Sequence, residues 1–282
     1  MKGLFEAELK RDVARETEPF RFHDSCEIVF VTGGTCTVLR EAEMIRAGRG
    51  TVLLIPAGVL HMSVALPGAE YARTVIRFDP EAVRPFCGGS TDLLEIFRGE
   101  GAGALCLNEA EIRETEPLFR ACLAGPDAFG ADLRRNLAFL ELLVRLGELS
   151  REGGHDLRTP EQEGDKNFGR ISPIVRYIRD NPAGSLSLEE VAEKFFYNKH
   201  YLCRIFKAAT GISVGQYIAA VRIRYAADFL RRGCSVQESG RKAGFKNNSN
   251  FISTFHKLMD VSPGQYRQQS RRNADSNQSI TI

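Results

Sequence analysis

The sequence predicts a two-domain α+β chain, with a β-rich first half that ends in trailing helices and an all-α second half. Three observations predict it. The 282 residues, 43% hydrophobic and 26% charged, are enough for two ordinary globular cores. Short apolar runs separated by turn residues fill residues 20–80, whereas helical periodicity takes over from residue 91. Charge also divides: residues 1–167 carry 20 Lys and Arg against 28 Asp and Glu, a net of −8, and residues 168–282 carry 18 against 8, a net of +10. A basic domain joined to an acidic one suggests that only the second meets a polyanion.

In the first domain (1–150) the expected strands are 27–31, 36–39, 51–55 and 72–78, an antiparallel barrel or sandwich broken by Thr32, Gly33 and Gly34 and by Pro56, Ala57 and Gly58. Helices are expected over 91–150. In the last of them Leu133, Leu137, Leu140 and Val144 form one apolar stripe and Leu142, Leu146 and Leu149 another. One stripe can serve the domain's own core and the other a partner copy, the alternative being a wholly buried helix. Residues 151–167, with three Gly, one Pro and no apolar period, read as a linker; 168–270 form the second domain, and 271–282 read as a disordered tail.

The second domain contains a duplication. Phe196, Asn198, Phe206, Ser213, Gly215, Gln216 and Tyr217 recur 49 residues later as Phe245, Asn247, Phe255, Ser262, Gly264, Gln265 and Tyr266. Upstream the offset is 48, pairing Ser187, Leu188, Glu190, Ala192 and Lys194 with Ser235, Val236, Glu238, Gly240 and Lys242. Each copy predicts a short helix, a tight turn and a second helix capped by Asn198 or Asn247, with Leu202 and Phe206, or Phe251 and Phe255, facing the core. That is a helix-turn-helix with an exposed recognition helix. Between the copies Val214, Tyr217, Ile218, Val221 and Tyr225 predict a linking helix of about 18 residues, about 27 Å long, a span suited to placing two recognition helices about one DNA turn apart.

The stretches LSLEEVAEKFFYNKHYLCRIFKAATGISVGQYIAAVRIRYAADFL and SVQESGRKAGFKNNSNFISTFHKLMDVSPGQYR resemble the DNA-binding domain of AraC/XylS-type transcription regulators over nearly its whole length. The resemblance implies double-stranded DNA and RNA polymerase as partners. Outward positions matched to it give a DNA-facing set of Asn198, Lys199, His200, Cys203, Arg204 and Lys207 in the first module and Asn247, Asn248, Ser249, Asn250, Ser253 and His256 in the second. Arg204 has the fork that pairs with guanine. Ser253 and Ile252 stand where Arg and Ser are common, and Ser239 where the family places a branched apolar residue, so the first module is expected to supply more base discrimination.

Residues 50–61, from Gly50 through Pro56 and Gly58 to His61, resemble the second motif of the cupin barrel, and His23 and Glu27 part of its first. Arg21 replaces the first metal-binding His of that motif and Ala65 its final Asn. A guanidinium is no substitute for a neutral imidazole, so at most three metal ligands remain, and no metal or cofactor is expected. The resemblance implies a cupin-like barrel that binds a small effector, often a sugar or sugar derivative, and helps form a homodimer; Arg21, His23, Glu27 and His61 are the candidate effector residues. The chain has no Trp, which weakens a sugar, and Arg21 with His61 points to an anionic or polar ligand. The rival readings are a metal-dependent cupin enzyme fused to a helical domain and a regulator that responds to no ligand. No signal peptide or membrane span is seen at the sequence level, and the seven cysteines have no zinc or redox spacing, so a cytoplasmic location with reduced thiols is expected.

Overall fold

The computed structural model describes residues 3–12, 20–21, 23–40, 43–65, 70–98, 103–125, 128–153, 166–184 and 186–278. Among the described residues eight strands form the first domain: β1 (Phe5–Asp12), β2 (Cys26–Gly33), β3 (Cys36–Arg40), β4 (Glu43–Ala47), β5 (Thr51–Ile55), β6 (His61–Ala65), β7 (Tyr71–Phe78) and β8 (Ala104–Cys106). They make a five-stranded sheet, β1-β7-β2-β5-β8, and a three-stranded sheet, β4-β3-β6. The cupin-like barrel is therefore two facing antiparallel sheets, not a closed cylinder.

The two-residue period of the strands sorts the side chains. Val29, Val31, Leu53, Ile55 and Val75 of the large sheet meet Cys36, Val38 and Ile45 of the small one. The opposite face of the large sheet, with Ile28, Phe30, Val52, Leu54, Ile76 and Phe78, is covered by helices. Burial on both faces explains why these strands read as continuous apolar runs. After a helical turn, α1 (Pro80–Val83), the covering helices are α2 (Glu109–Cys122) and α3 (Ala131–Glu152). Phe30 stacks on Phe119 at 4.6 Å and Phe5 on Phe139 at 4.4 Å. Residues 91–108 depart from the helical expectation, containing a 3-10 turn at Glu95–Phe97 and β8.

The second domain comprises α4 (Lys166–Asp180), α5 (Leu188–Lys194), α6 (Lys199–Thr210), α7 (Val214–Arg231), α8 (Val236–Lys242), α9 (Asn248–Met259) and α10 (Pro263–Gln278). The expected caps are in place: Ser187 caps α5, Asn198 α6, Ser235 α8 and Asn247 α9. Most of the linker assignment, 154–165, lies outside the described residues, as do 279–282 of the tail. Residues 271–278 are helical rather than disordered: Ser262 and Gln265 cap the start of α10, and neither Gly nor Pro follows to end it before Gln278.

The outer face of the small sheet packs on the helical domain, so that Phe20, Leu39, Met44, Leu60 and Met62 share one core with Ile171, Ile174, Tyr217 and Ile218. Phe20 lies 5.8 Å from the Tyr217 ring.

Candidate DNA interface and effector site

The turns of the two helix-turn-helix copies have the same hydrogen bonds up to one point. Phe196 N–H donates to Glu193 and Tyr197 N–H to Ala192; Gly244 donates to Arg241 and Phe245 to Gly240. Tyr197 is thus the counterpart of Phe245, Phe196 that of Gly244, and the inserted residue is Lys246. The sequence pairing of Phe196 with Phe245 is off by one. Phe196 holds a left-handed φ of 57°, with its ring 96% exposed, at the position where the second copy has Gly244 at φ 90°.

On α6, Lys199, His200, Arg204 and Lys207 are exposed and Cys203 is half-buried, while Leu202, Ile205 and Phe206 are buried. On α9, Asn248, Ser249, Asn250, Ser253 and His256 are exposed over buried Phe251 and Phe255. Docking of the two domains leaves both recognition faces open. Not every side chain is equally available. Asn198 accepts from the His200 N–H and Asn247 from the Asn250 N–H as caps. Lys199 pairs with Glu189 at 3.4 Å. The Asn250 side-chain oxygen accepts from the Thr254 hydroxyl at 3.3 Å, leaving its NH2 as donor; Asn248 is then the better placed to offer both groups to adenine. The Arg204 guanidinium lies 5.4 Å from the Tyr201 ring centroid, and the Tyr201 hydroxyl accepts from Arg170. This stacking stiffens the Arg204 side chain while leaving its fork exposed.

In the first domain Glu27, buried on the inner face of β2, gathers the predicted effector residues. His23 Nε2 is 3.1 Å from one carboxylate oxygen and His61 Nε2 3.7 Å from the other. Ser25 O lies 2.8 Å from His23 Nδ1 and Val59 O 2.9 Å from His61 Nδ1, which turns both Nε2 atoms toward Glu27. Arg21 joins the group through its backbone, paired with His61 as an isolated bridge. Sequence reasoning missed Arg77, whose Nε donates to Glu27 at 2.7 Å and whose Nη1 donates to Glu8 at 2.8 Å. It also missed Arg73, fully buried and paired with Asp12 at 2.6 Å. The signal was available, since Arg73, Val75 and Arg77 alternate along β7 and must face the same way. Burial opposes ionisation of Glu27, but the hydrogen bonds from His23 and Arg77, with His61 close by and the Arg77 charge, outweigh it and hold the carboxyl far below its ordinary range.

The donor atoms of His23, Glu27 and His61 lie within 4.8 Å of one another, the chemistry of a two-His, one-carboxylate metal set. The fit is poor, because the Arg77 guanidinium already occupies one Glu27 oxygen and supplies the cationic charge that a metal would bring.

This cluster adjoins the helical domain. The His23 carbonyl accepts from the Gly58 N–H at 2.9 Å, and the next residue, Asp24, lies 3.7 Å from Arg231 of α7. Gly58 has φ 75°, and a Cβ there would stand 3.2 Å from Arg231 Nη1, so glycine at this point of the motif meets both the turn and the close approach of α7.

An AraC-like ligand binding domain model matches residues 4–143 and a helix-turn-helix domain model residues 191–269. The chain is 37% identical over 109 residues to the uncharacterized HTH-type transcriptional regulator YtdP of Bacillus subtilis, covering 38% of this chain and 14% of that protein. It is 24% identical over 273 residues to the HTH-type transcriptional activator RhaS of Klebsiella pneumoniae, covering 94% and 93%. To the multiple antibiotic resistance protein MarA of Escherichia coli K12 it is 36% identical over 98 residues, covering 34% of this chain and 77% of MarA. Among the described residues no helix is long and apolar enough to cross a membrane. With both domains matched and the two recognition helices in place, the chain belongs to the AraC family of DNA-binding transcription regulators.

Proposed function

We propose that this regulator is a cytoplasmic, effector-responsive activator of a catabolic operon, works as a homodimer with RNA polymerase as its partner, and performs no catalysis of its own. The observation that carries the effector reading is the position of the buried Glu27 cluster one residue from the Asp24–Arg231 contact. A ligand that draws His23 or His61 away from Glu27 shifts the β5–β6 turn and Asp24, and with them the hold on α7. Among the described residues the space beside Glu27 is about 10 Å³, room for about one water, so an effector that enters it displaces side chains. Lys10, Arg21, Arg73 and Arg77 line that space with Glu27 as the one acid, which favours an anionic or polar ligand.

Dimerisation is assigned to α3. Its Phe139, Leu142, Leu143, Leu146 and Leu149 are buried, whereas Leu133 and Leu137 are 60% and 56% exposed and Val144 lies on the same open face. Replacing Leu137 and Val144 together by Glu should convert a micromolar dimer into a folded monomer in light-scattering chromatography; a wild-type chain that is already monomeric would remove the assignment.

The two modules are proposed to read DNA unequally. Arg204→Ala should relax preference at one base pair by about 1 to 3 kcal/mol, whereas Ser253→Ala should change little. Affinities for every single-base variant of the bound site test this, and a uniform loss for Arg204→Ala would reassign the residue to phosphate contact.

A further inference from the structure

A cleft of about 410 Å³ separates the two helix-turn-helix modules. Its floor is one face of α7, with Gly215, Ala219 and Arg222, and its wall is the start of α9 with Lys246, Asn247 and Asn250. Among the described residues no Asp or Glu lines it. Among the described residues neither Arg222 nor Lys246 has a carboxylate partner, whereas nearby Arg224, Arg231 and Lys242 all do. Arg222 is held in place by the carbonyls of Pro182 and Gly184, at 3.0 and 3.1 Å. The side-chain oxygens of Asn247 and Asn250 are both engaged within α9, so each amide has its NH2 left to donate. The cleft thus presents two cations and two amide donors with no carboxylate among its described lining residues, and Lys246 is the residue that the first module lacks.

We propose that this cleft seats the DNA sugar-phosphate backbone where it passes from one major groove to the next, with Arg222 and Lys246 neutralising phosphates and Asn247 and Asn250 donating to their oxygens. The inference rests on the DNA-binding reading, which places a recognition helix on either side. Small residues at 215 and 219 let the backbone approach α7 closely, and the inserted Lys246 makes the second module an anchor where the first is a reader.

The test uses full-length protein and a duplex that it selects from a random-sequence pool. Lys246→Gln, an exposed substitution, should lower the slope of log affinity against log salt by about 0.9, so that the gap from wild type narrows about threefold between about 50 and about 200 mM salt. Base preference should not change. Arg222→Gln should show the same reduced slope, with its circular dichroism melt reporting any loss of the Pro182 and Gly184 contacts. An unchanged slope for Lys246→Gln, or an altered preference at one base pair, overturns the phosphate seat while leaving DNA binding intact. Protection of the free wild-type protein, but not of Lys246→Gln, by inorganic phosphate without any change in DNA slope would make the cleft a small-anion site and overturn it too. A wild-type chain that enriches no duplex fails the underlying reading instead.

Discussion

Glu27→Gln should destabilise the first domain by about 3 to 5 kcal/mol at neutral pH, because it removes one partner of a buried charge network and leaves the other buried. Arg77 would retain only Glu8, and the two Nε2 atoms would face an amide that can accept at one atom alone. The pH dependence has a definite sign. The folded-state pKa of Glu27 lies below its ordinary value of 4.5, so its contribution is fully present above about that pH and is lost as the pH falls below it. Urea unfolding of the full chain should therefore show a wide gap between wild type and Glu27→Gln at pH 7 that narrows below about pH 4.5. A variant within about 0.5 kcal/mol of wild type at pH 7 would mean that the network contributes nothing to the fold.

Gly244→Ala should be nearly as damaging, at about 3 kcal/mol, and should abolish binding by the second module. Two costs combine. A side chain at φ 90° is strained by about 1 to 2 kcal/mol, and the new Cβ would stand 2.6 Å from the Pro182 carbonyl oxygen and 2.9 Å from Arg222 Nε. Backbone cannot yield as a flexible side chain does, and Arg222 is itself bonded to that carbonyl. The counterpart Phe196→Gly should change stability by no more than about 1 kcal/mol, since relief of strain is offset by the greater freedom of glycine in the unfolded chain. Denaturation of both variants separates the cases; a Gly244→Ala protein that unfolds with wild type would show that this turn relaxes freely.

The parts of the fold legible in the sequence were those where a single period dominated. β2, β5 and β7 announced themselves as apolar runs, and Ser187, Asn198, Ser235 and Asn247 marked helix starts that local hydrogen bonding then used. β1 was passed over although Phe5, Ala7 and Leu9 alternate with Glu6, Glu8 and Lys10: the apolar face is short, because only Phe5 and Ala7 pack against the helices, Leu9 is exposed on this edge strand, and Arg11 and Asp12 end it in charge. The shared core of the two domains was hidden for another reason: Leu39, Met44 and Met62 look like core residues of their own sheet, and alternation cannot say what covers the outer face. In the site, the resemblance to cupin motifs supplied His23, Glu27 and His61; alternation along β7 puts Arg73 and Arg77 on one face, but that this face is the one Glu27 shares follows from the register of β7 against β2 and β1. The buried Ser239 illustrates a departure that the sequence flagged and the structure sharpens. It is fully enclosed, and its hydroxyl has no hydrogen-bond partner among the described residues, a cost of about 1 to 3 kcal/mol to α8.

That two unequal helix-turn-helix modules read one DNA face is tested by selection of random-sequence duplexes by the full-length protein followed by sequencing of the bound fraction. Two unequal modules should enrich a bipartite motif whose halves are centred about one helical turn, roughly 10 base pairs, apart, with more information in the half bound by α6 than in the half bound by α9. Enrichment of a single block, or of two halves with equal information, would contradict it.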